Sequence, residues 1–291
     1  MATLARVGKL AIVGVGLIGG SFALAARAAG CVGQITGVGR SRANLERAKA
    51  LGVIDADATL AEAVRGADVV LLAMPVGATA AVLRAIAPHL HAGTVVTDAG
   101  STKSDVVAAA RDALGERLPR FVPGHPIAGA EQSGVDAARA GLFSGKRTVL
   151  TPLDETDADA REIVRELWRA CGAEVHEMAP ATHDQVFAAV SHLPHLIAYA
   201  LVHDIATHDA ADLLFEYAAS GFRDFTRIAS SHPEMWRDIC MANRAALLAE
   251  LSRFESVLVE ARRLLDAQDA AGLERLFDGA RRARNEWLAR R

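Results

Sequence analysis

The stretch Gly14-Val15-Gly16-Leu17-Ile18-Gly19-Gly20 constrains this chain more than any other. Before it, Lys9-Leu10-Ala11-Ile12-Val13 is short, apolar and β-branched, and reads as a buried strand. After it, the alanine-rich segment from Ser21 to Gly30 reads as a helix with Gly30 as its C-cap. A G-x-G-x-x-G between strand and helix is the setting of a dinucleotide site. The first glycine makes the tight turn, the second admits the pyrophosphate to the backbone, and the third lets helix and strand pack closely. Phosphates then meet the free N–H groups and positive dipole end of the helix. Gly14, Gly16, Leu17, Ile18 and Gly19 are therefore candidate cofactor-binding residues. The competing reading is a merely structural glycine turn, which the strand–loop–helix context disfavours.

The chain has 291 residues, long enough for a large core and, by length, for two domains. Its net charge of −3 gives no case for a nucleic-acid partner. Cys31, Cys171 and Cys240 are far apart and form no C-x-x-C, which fits small buried hydrophobes in a reducing compartment. No apolar run reaches the length of a membrane span, the run at 69–73 being strand-sized. The glycine-rich strand begins almost at once, with no signal-peptide pattern before it. These features predict a cytoplasmic protein without a membrane partner.

A second strand, Gln34-Ile35-Thr36-Gly37-Val38-Gly39, should end about twenty residues past the glycine loop, where an NAD enzyme usually carries an acid. This chain has Gly39-Arg40-Ser41-Arg42 instead. A carboxylate would repel a 2′-phosphate, whereas Arg40 and Ser41 are suited to bind one, which favours NADP over NAD. Alternatively, Arg40 and Arg42 are solvated residues opening a helix over 43–51.

Strands and helices then alternate. Asp68 to Pro75 reads as a buried strand stopped by Pro75, which places Met74 and Pro75 among the candidate cofactor contacts. A helix over 77–87, a strand at 94–98, a helix over 104–114 and a shorter strand at 120–123 follow. Further strands at 148–150 and 173–176 flank a helix at 158–170. The pattern predicts an α/β, Rossmann-like doubly wound and mainly parallel sheet, with ligands at the carboxyl ends of its strands. From Ala179 strand signals vanish and apolar residues recur at helical spacing: a predicted helix opens at Thr182-His183-Asp184-Gln185 and runs through 186–207, and others cover 209–219, 222–230, 233–242, 243–268 and 271–289. The predicted division is therefore a dinucleotide domain, 1–178, and an all-α domain, 179–291, whose long helices bury a stripe against a second subunit.

Several residues are candidates for chemistry. His125, in Phe121-Val122-Pro123-Gly124-His125-Pro126-Ile127-Ala128-Gly129, follows a strand and so lies at the carboxyl edge. Held between Gly124 and Pro126 in a loop with no helix to pack into, it suits a general base that takes a hydroxyl proton while the same carbon loses hydride. A loop histidine bonded to a backbone carbonyl is the alternative. Ser101, in Asp98-Ala99-Gly100-Ser101-Thr102-Lys103, is placed either to bond a substrate hydroxyl or the cofactor amide, or to N-cap the next helix. In Ser191-His192-Leu193-Pro194-His195, Ser191 and His195 share a face if the helix runs through Pro194, and His192 points elsewhere as a structural residue. Arg227 fits an inward carboxylate clamp or a surface ion pair, while Arg223 with Asp224 looks like the latter. No His/Cys/Asp cluster has metal-ligand spacing.

With the glycine loop, Gly124-His125-Pro126-Ile127-Ala128-Gly129 followed by Glu131, Thr97 to Lys103, Ser191 to His195 and Asp224-Phe225-Thr226-Arg227, the chain resembles the prephenate/arogenate (cyclohexadienyl) dehydrogenases of tyrosine biosynthesis over nearly its whole length. The resemblance implies NAD(P)-dependent oxidative decarboxylation of prephenate, of L-arogenate, or of both, driven by aromatisation. It implies that His125 bonds and polarises the ring hydroxyl with Ser101 sharing the contact, and that His195 and Ser191 lie at the nicotinamide–substrate junction. It further implies that Arg227 binds a substrate carboxylate, that Trp236 lines the site, that Glu131 is an acid near its mouth, and that the helical half forms a homodimer. The departure at Gly39-Arg40-Ser41 puts NAD specificity in doubt. A β-hydroxyacid-type dehydrogenase would usually draw a catalytic lysine from the helical half, but 179–291 contains none. A non-catalytic NADP sensor would be expected to lose His125 or Arg227, and both are present.

Overall fold

The structure is a computed structural model, and it describes residues 7–130 and 132–290. The first two-thirds builds β1 (Val7–Val13), α1 (Leu17–Ala28), β2 (Val32–Val38), α2 (Arg42–Ala50), β3 (Ala56–Asp57), α3 (Leu60–Val64), β4 (Val69–Leu72), α4 (Thr79–Ile86), β5 (Val95–Asp98), α5 (Ser104–Leu114) and β6 (Phe121–Val122). These strands form one six-stranded sheet in the order β3-β2-β1-β4-β5-β6, parallel at every pairing. A second sheet follows: β7 (Gly124–Pro126), β8 (Arg147–Leu150) and β9 (Glu174–Glu177), with α6 (Ala158–Ala170) between the last two. In it β7 runs antiparallel to β8, and β8 parallel to β9.

The central strands of the parallel sheet are buried on both faces, so they are mostly apolar rather than alternating. Along β1, Leu10 and Ile12 enter one core while Ala11 and Val13 enter the other. The first core centres on Trp168, whose ring meets Phe22 and Phe143 edge-on at centroid distances of 4.7 and 5.1 Å. Trp168 belongs to α6, where Ala160, Val164, Leu167 and Trp168 make the buried stripe of an amphipathic helix. The second core holds Leu83 and Ile86 of α4, Val106 and Leu114 of α5, and Phe121.

From Pro180 onward every described regular element is helical: α7 (Pro180–Phe187), α8 (Leu193–Ala206), α9 (Ala211–Glu216), α10 (Ser220–Thr226), α11 (Pro233–Ala242), α12 (Arg244–Asp266) and α13 (Ala270–Ala289). The helix expected to open at Thr182 and run through 207 starts at Pro180 and is continuous to Ala206, with residues 188–192 widened into a π turn. Pro194 has no N–H, and its ring would press on the carbonyl four residues back; a wider turn there relieves both. This 27-residue helix is long and apolar enough to cross a membrane by length and composition alone. Its polar residues His183 and Asp184, however, bond α5, β7 and Asn243.

The chain divides into two compact units after Arg244. In the second, Asp269 caps α13 by accepting from the Gly272 N–H at 2.8 Å, and Leu264 is buried near the turn. Most of that unit's large apolar residues are exposed, among them Val257, Leu258, Val259, Leu265, Phe277 and Leu288.

Candidate active site

The candidate nucleotide cradle, the glycine loop after β1, is made by backbone. Gly14 has φ +100°, and an added Cβ would lie 2.5 Å from the Ala73 carbonyl oxygen just past β4, so only glycine fits. At Gly19 a Cβ would collide with the Gly14 carbonyl and Ile12, which holds α1 tight against β1. Gly16 differs: an added Cβ would meet nothing within 4 Å. As N-cap of α1 it also supplies no side-chain hydrogen bond. The helix thus opens with unsatisfied donors into free space beside the ends of β1 and β4, the geometry that suits a pyrophosphate. Leu17 and Ile18 begin α1, Met74 is half-buried and Pro75 exposed just beyond β4.

At the end of β2, Arg40 is exposed. Ser41 is the N-cap of α2, accepting from the Asn44 N–H at 3.2 Å, while Asn44 Nδ2 donates to the Val15 carbonyl at 2.7 Å. The start of α2 is therefore fastened to the glycine loop. Arg42 pairs with Glu46 along the exposed side of α2.

One sheet edge away, Asp98 organises the next part. It ends β5 buried, and its carboxylate takes an ion pair from the buried Lys103 Nζ, the Gly100 N–H at 2.8 Å and the Gly124 N–H at 3.0 Å. The last bond fixes the backbone beside His125.

His125 lies on β7 opposite Val149, not in a free loop, and it has a helix to pack into: its ring meets Phe187 of α7 edge-on at 4.9 Å. Its Nδ1 lies 2.9 Å from His183 Nε2, and His183 Nδ1 lies 2.9 Å from Asp184 Oδ1. The backbone-carbonyl bond that would mark a structural histidine is replaced by this side-chain chain. Burial pushes the His125 pKa well below the ordinary imidazole value, helped by His183, Lys103 and His192 nearby. Burial also lowers that of His183 against the opposing pull of Asp184. Burial alone would raise the Asp184 pKa, but bonds from His183, Ser104 and Lys103 hold it at about 2.

Asp184 also settles the alternative for Ser101. The Lys103 and Ser104 N–H groups that open α5 both donate to Asp184, each at 2.8 Å, and no side chain of the preceding loop caps that helix. Ser101 is half-buried in that loop, three residues past Asp98, without the capping role.

The remaining candidates lie on α8, on the π turn before it, on α11 and on a 3₁₀ turn between α10 and α11. His195 Nδ1 donates to the Ser191 carbonyl at 2.8 Å, so Ser191 and His195 do share a face, and the His195 ring stacks on Trp236 at 3.5 Å. Burial lowers the His195 pKa, and the Arg227 charge adds to the effect, which puts the guanidinium near this imidazole. Arg227 is exposed at the head of a 3₁₀ turn, Arg227–Ser230, that Tyr199 Oη secures through the Ser231 carbonyl at 2.5 Å. His192 does point elsewhere, buried, accepting from Asn243 Nδ2 at 3.1 Å. Arg223 and Asp224 are an exposed pair at 4.0 Å. Glu131 lies outside the described residues. Among the described residues no group of three or more His, Cys, Asp or Glu is placed to hold a metal ion.

Sequence reasoning reads His183 and Asp184 only as part of a helix opening and passes over Asn243. The available signal was a His-Asp pair set into an otherwise apolar helix, with His183 and Phe187 four apart on one face.

Two family descriptions match in tandem: "Prephenate dehydrogenase, nucleotide-binding domain" over residues 22–177 and "Prephenate dehydrogenase, dimerization domain" over 179–279. The cyclohexadienyl dehydrogenase of Zymomonas mobilis is 37% identical over 278 residues, covering 94% of this chain and 94% of that protein. The prephenate dehydrogenase of Bacillus subtilis is 39% identical, covering 93% of this chain and 73% of the other. Among solved structures, prephenate dehydrogenase from A. aeolicus in complex with hydroxyphenyl propionate and NAD+ superimposes with a TM-score of 0.89 at 36% identity, covering 96% of this chain and 98% of that one. With its parallel nucleotide-binding sheet and helical C-terminal half, the chain belongs to the prephenate dehydrogenase family, the dehydrogenases of tyrosine biosynthesis.

Proposed function

We propose that the protein oxidatively decarboxylates prephenate to 4-hydroxyphenylpyruvate, L-arogenate to tyrosine, or both, with His125 as the proton acceptor. The observation that carries this is the His125–His183–Asp184 chain, fastened through Gly124 and Asp98 to the sheet edge that also carries the glycine cradle. A neutral imidazole in that position draws on the ring hydroxyl as the same carbon gives up hydride. It returns the proton to the phenol oxygen once the ring is aromatic. The ring carboxylate leaves as carbon dioxide, and its bonding pair completes the aromatic system. The dinucleotide supplies the hydride acceptor.

In this reading Gly14, Gly16, Leu17, Ile18, Gly19, Met74 and Pro75 hold the dinucleotide. Ser101 shares the hydroxyl contact, His195 and Ser191 line the junction of cofactor and substrate, Trp236 forms a wall, and Arg227 binds a carboxylate. The exposed Arg40 and the Ser41 hydroxyl at the end of β2 support NADP over NAD, since both suit a 2′-phosphate and no acid stands there. The parts divide into a nucleotide domain, 1–178, and a substrate and dimerisation domain, 179–291; β9 ends at Glu177 and only helices follow. The exposed apolar residues of α12 and α13 support a homodimer through the helical half. Three free cysteines support a cytoplasmic setting.

A steady-state assay of reduced-cofactor formation, crossing prephenate and L-arogenate with NAD+ and NADP+, tests the proposal. Turnover with either substrate is expected, with NADP+ preferred. Folded, cofactor-binding protein that turns over neither substrate would overturn the reading.

A further inference from the structure

We propose that His183, anchored by Asp184, fixes the tautomer of His125 with hydrogen on Nδ1, leaving the Nε2 lone pair free to act as the base. His183 and Asp184 are then positioning residues, and the inference rests on the reading of His125 as proton acceptor.

The argument starts at Asp184. Its Oδ1 accepts the Lys103 N–H and its Oδ2 the Ser104 N–H, both at 2.8 Å, so backbone donors occupy both oxygens. Ionised and surrounded by donors, the carboxylate offers no hydrogen to the ring nitrogen 2.9 Å from Oδ1. His183 Nδ1 must therefore carry the hydrogen. In a neutral ring that leaves a lone pair on His183 Nε2, which lies 2.9 Å from His125 Nδ1. Two lone pairs cannot face each other at that distance, so His125 Nδ1 is the donor. A neutral His125 then has its hydrogen committed, and Nε2 is the basic nitrogen.

The competing arrangement has His183 as an imidazolium that donates at both nitrogens, which would turn His125 round and leave Nε2 protonated. The His183 side chain is 0% exposed, and the ammonium of buried Lys103 is nearby, so a cation there is disfavoured. Among the described residues His183 is the one hydrogen-bond partner of His125 Nδ1, so without it the Nδ1 hydrogen is not held in place. Among the described residues His125 Nε2 has no hydrogen-bond partner. When it accepts the hydroxyl proton, the O–H bond breaks and an N–H bond forms on its lone pair. The imidazolium continues to donate Nδ1–H to His183, with the Asp184 charge one ring beyond.

Two variants separate positioning from packing. His183→Phe keeps a ring beside Phe187 and removes the acceptor, while His183→Gln restores an acceptor oxygen without a titrating ring. Ring ¹⁵N spectra of histidine-labelled, dinucleotide-bound full-length protein read the tautomer of His125 directly, its signals assigned by their loss in His125→Asn. The wild type should show Nδ1 protonated and Nε2 bare. His183→Phe should shift His125 largely to the Nε2-protonated form and lower kcat by about 10- to 100-fold with KM within about threefold, the loss of an aligned base. His183→Gln should recover part of both. A wild-type His125 protonated at Nε2 would overturn the proposal whether or not the variants fold. So would a His183→Phe protein with tautomer and kcat unchanged. If the wild type shows the expected tautomer yet turns over neither prephenate nor L-arogenate, the lock stands and the proposed function falls.

Discussion

The glycine cradle and the histidine cluster sit on one sheet edge but are made in opposite ways. The cradle is local and built of backbone: seven consecutive residues, with selectivity set by where a methyl group fits and where it does not. The cluster is non-local: Asp98 of β5, His125 of β7, His183 and Asp184 of α7, His192 of the π turn and Asn243 are linked by hydrogen bonds, in part through the Gly124 N–H and the Asp184 carbonyl. A backbone site tolerates most side-chain change and fails at a glycine. A series of buried polar groups behaves as a unit, since removing one member leaves its neighbour unsatisfied.

The sharpest test of that contrast is His125→Asn, which should cut kcat by about 10²–10⁴-fold while dinucleotide affinity, measured by titration, is unchanged. Loss of cofactor binding in that variant would show that the two regions are not separable. Next, Lys103→Met strands the buried Asp98 carboxylate and should cost about 3–5 kcal/mol in denaturant unfolding. A smaller loss would mean that the two backbone N–H bonds to Asp98 suffice on their own.

Acid should act on the cluster and spare the cradle, which contains no titrating group. His192 has its pKa pushed down to about 4, chiefly by burial, so the unfolded chain binds a proton between about pH 6.5 and 4 that the native state refuses. Stability is therefore full above about pH 6.5 and falls as the pH drops through that window, by about 3 kcal/mol for this one group. His125, His183 and His195 shift in the same direction and add to the loss. Unfolding free energies measured from pH 7.5 to 4.5 check the slope; a flat profile would contradict a neutral, buried cluster.

Two smaller effects complete the series. Arg227→Ala should raise substrate KM by about tenfold or more, the worth of a charge-assisted bond, with kcat little changed. Gly16→Ala puts a methyl group where no protein atom lies, so stability should stay within about 0.5 kcal/mol while dinucleotide affinity falls about tenfold. Unimpaired binding in that variant would move the pyrophosphate away from Gly16.

The same contrast decides what could be read from the sequence. The cradle announces itself because strand, loop and helix are contiguous, and β1, α5, α6 and α11 follow from periodicity and their punctuation. Strands β3 and β7, of two and three residues, are too short to show a period. That is why His125 reads as a loop residue. Its partner His183 is 58 residues away, and the cap of α5 comes from a carboxylate 81 residues beyond Lys103. No local pattern encodes either contact, although each end is conspicuous once the fold is known. The helix that runs through Pro194 is legible as a helix, but its π turn is not, because the widening answers a single missing N–H.

That π turn sets the angular phase between two parts of one rod. His183 lies before it, against β7, and His195 lies after it, against Trp236. Each residue of an α-helix advances the side-chain direction by about 100°, and a π turn takes up one extra residue, so winding 188–192 as regular α-helix with every residue kept would turn the rest of the rod by about that angle. His195 would swing off Trp236 while His183 kept its place. The helix thus works as a keyed shaft, with the length of this five-residue segment acting as the key that aligns its two ends.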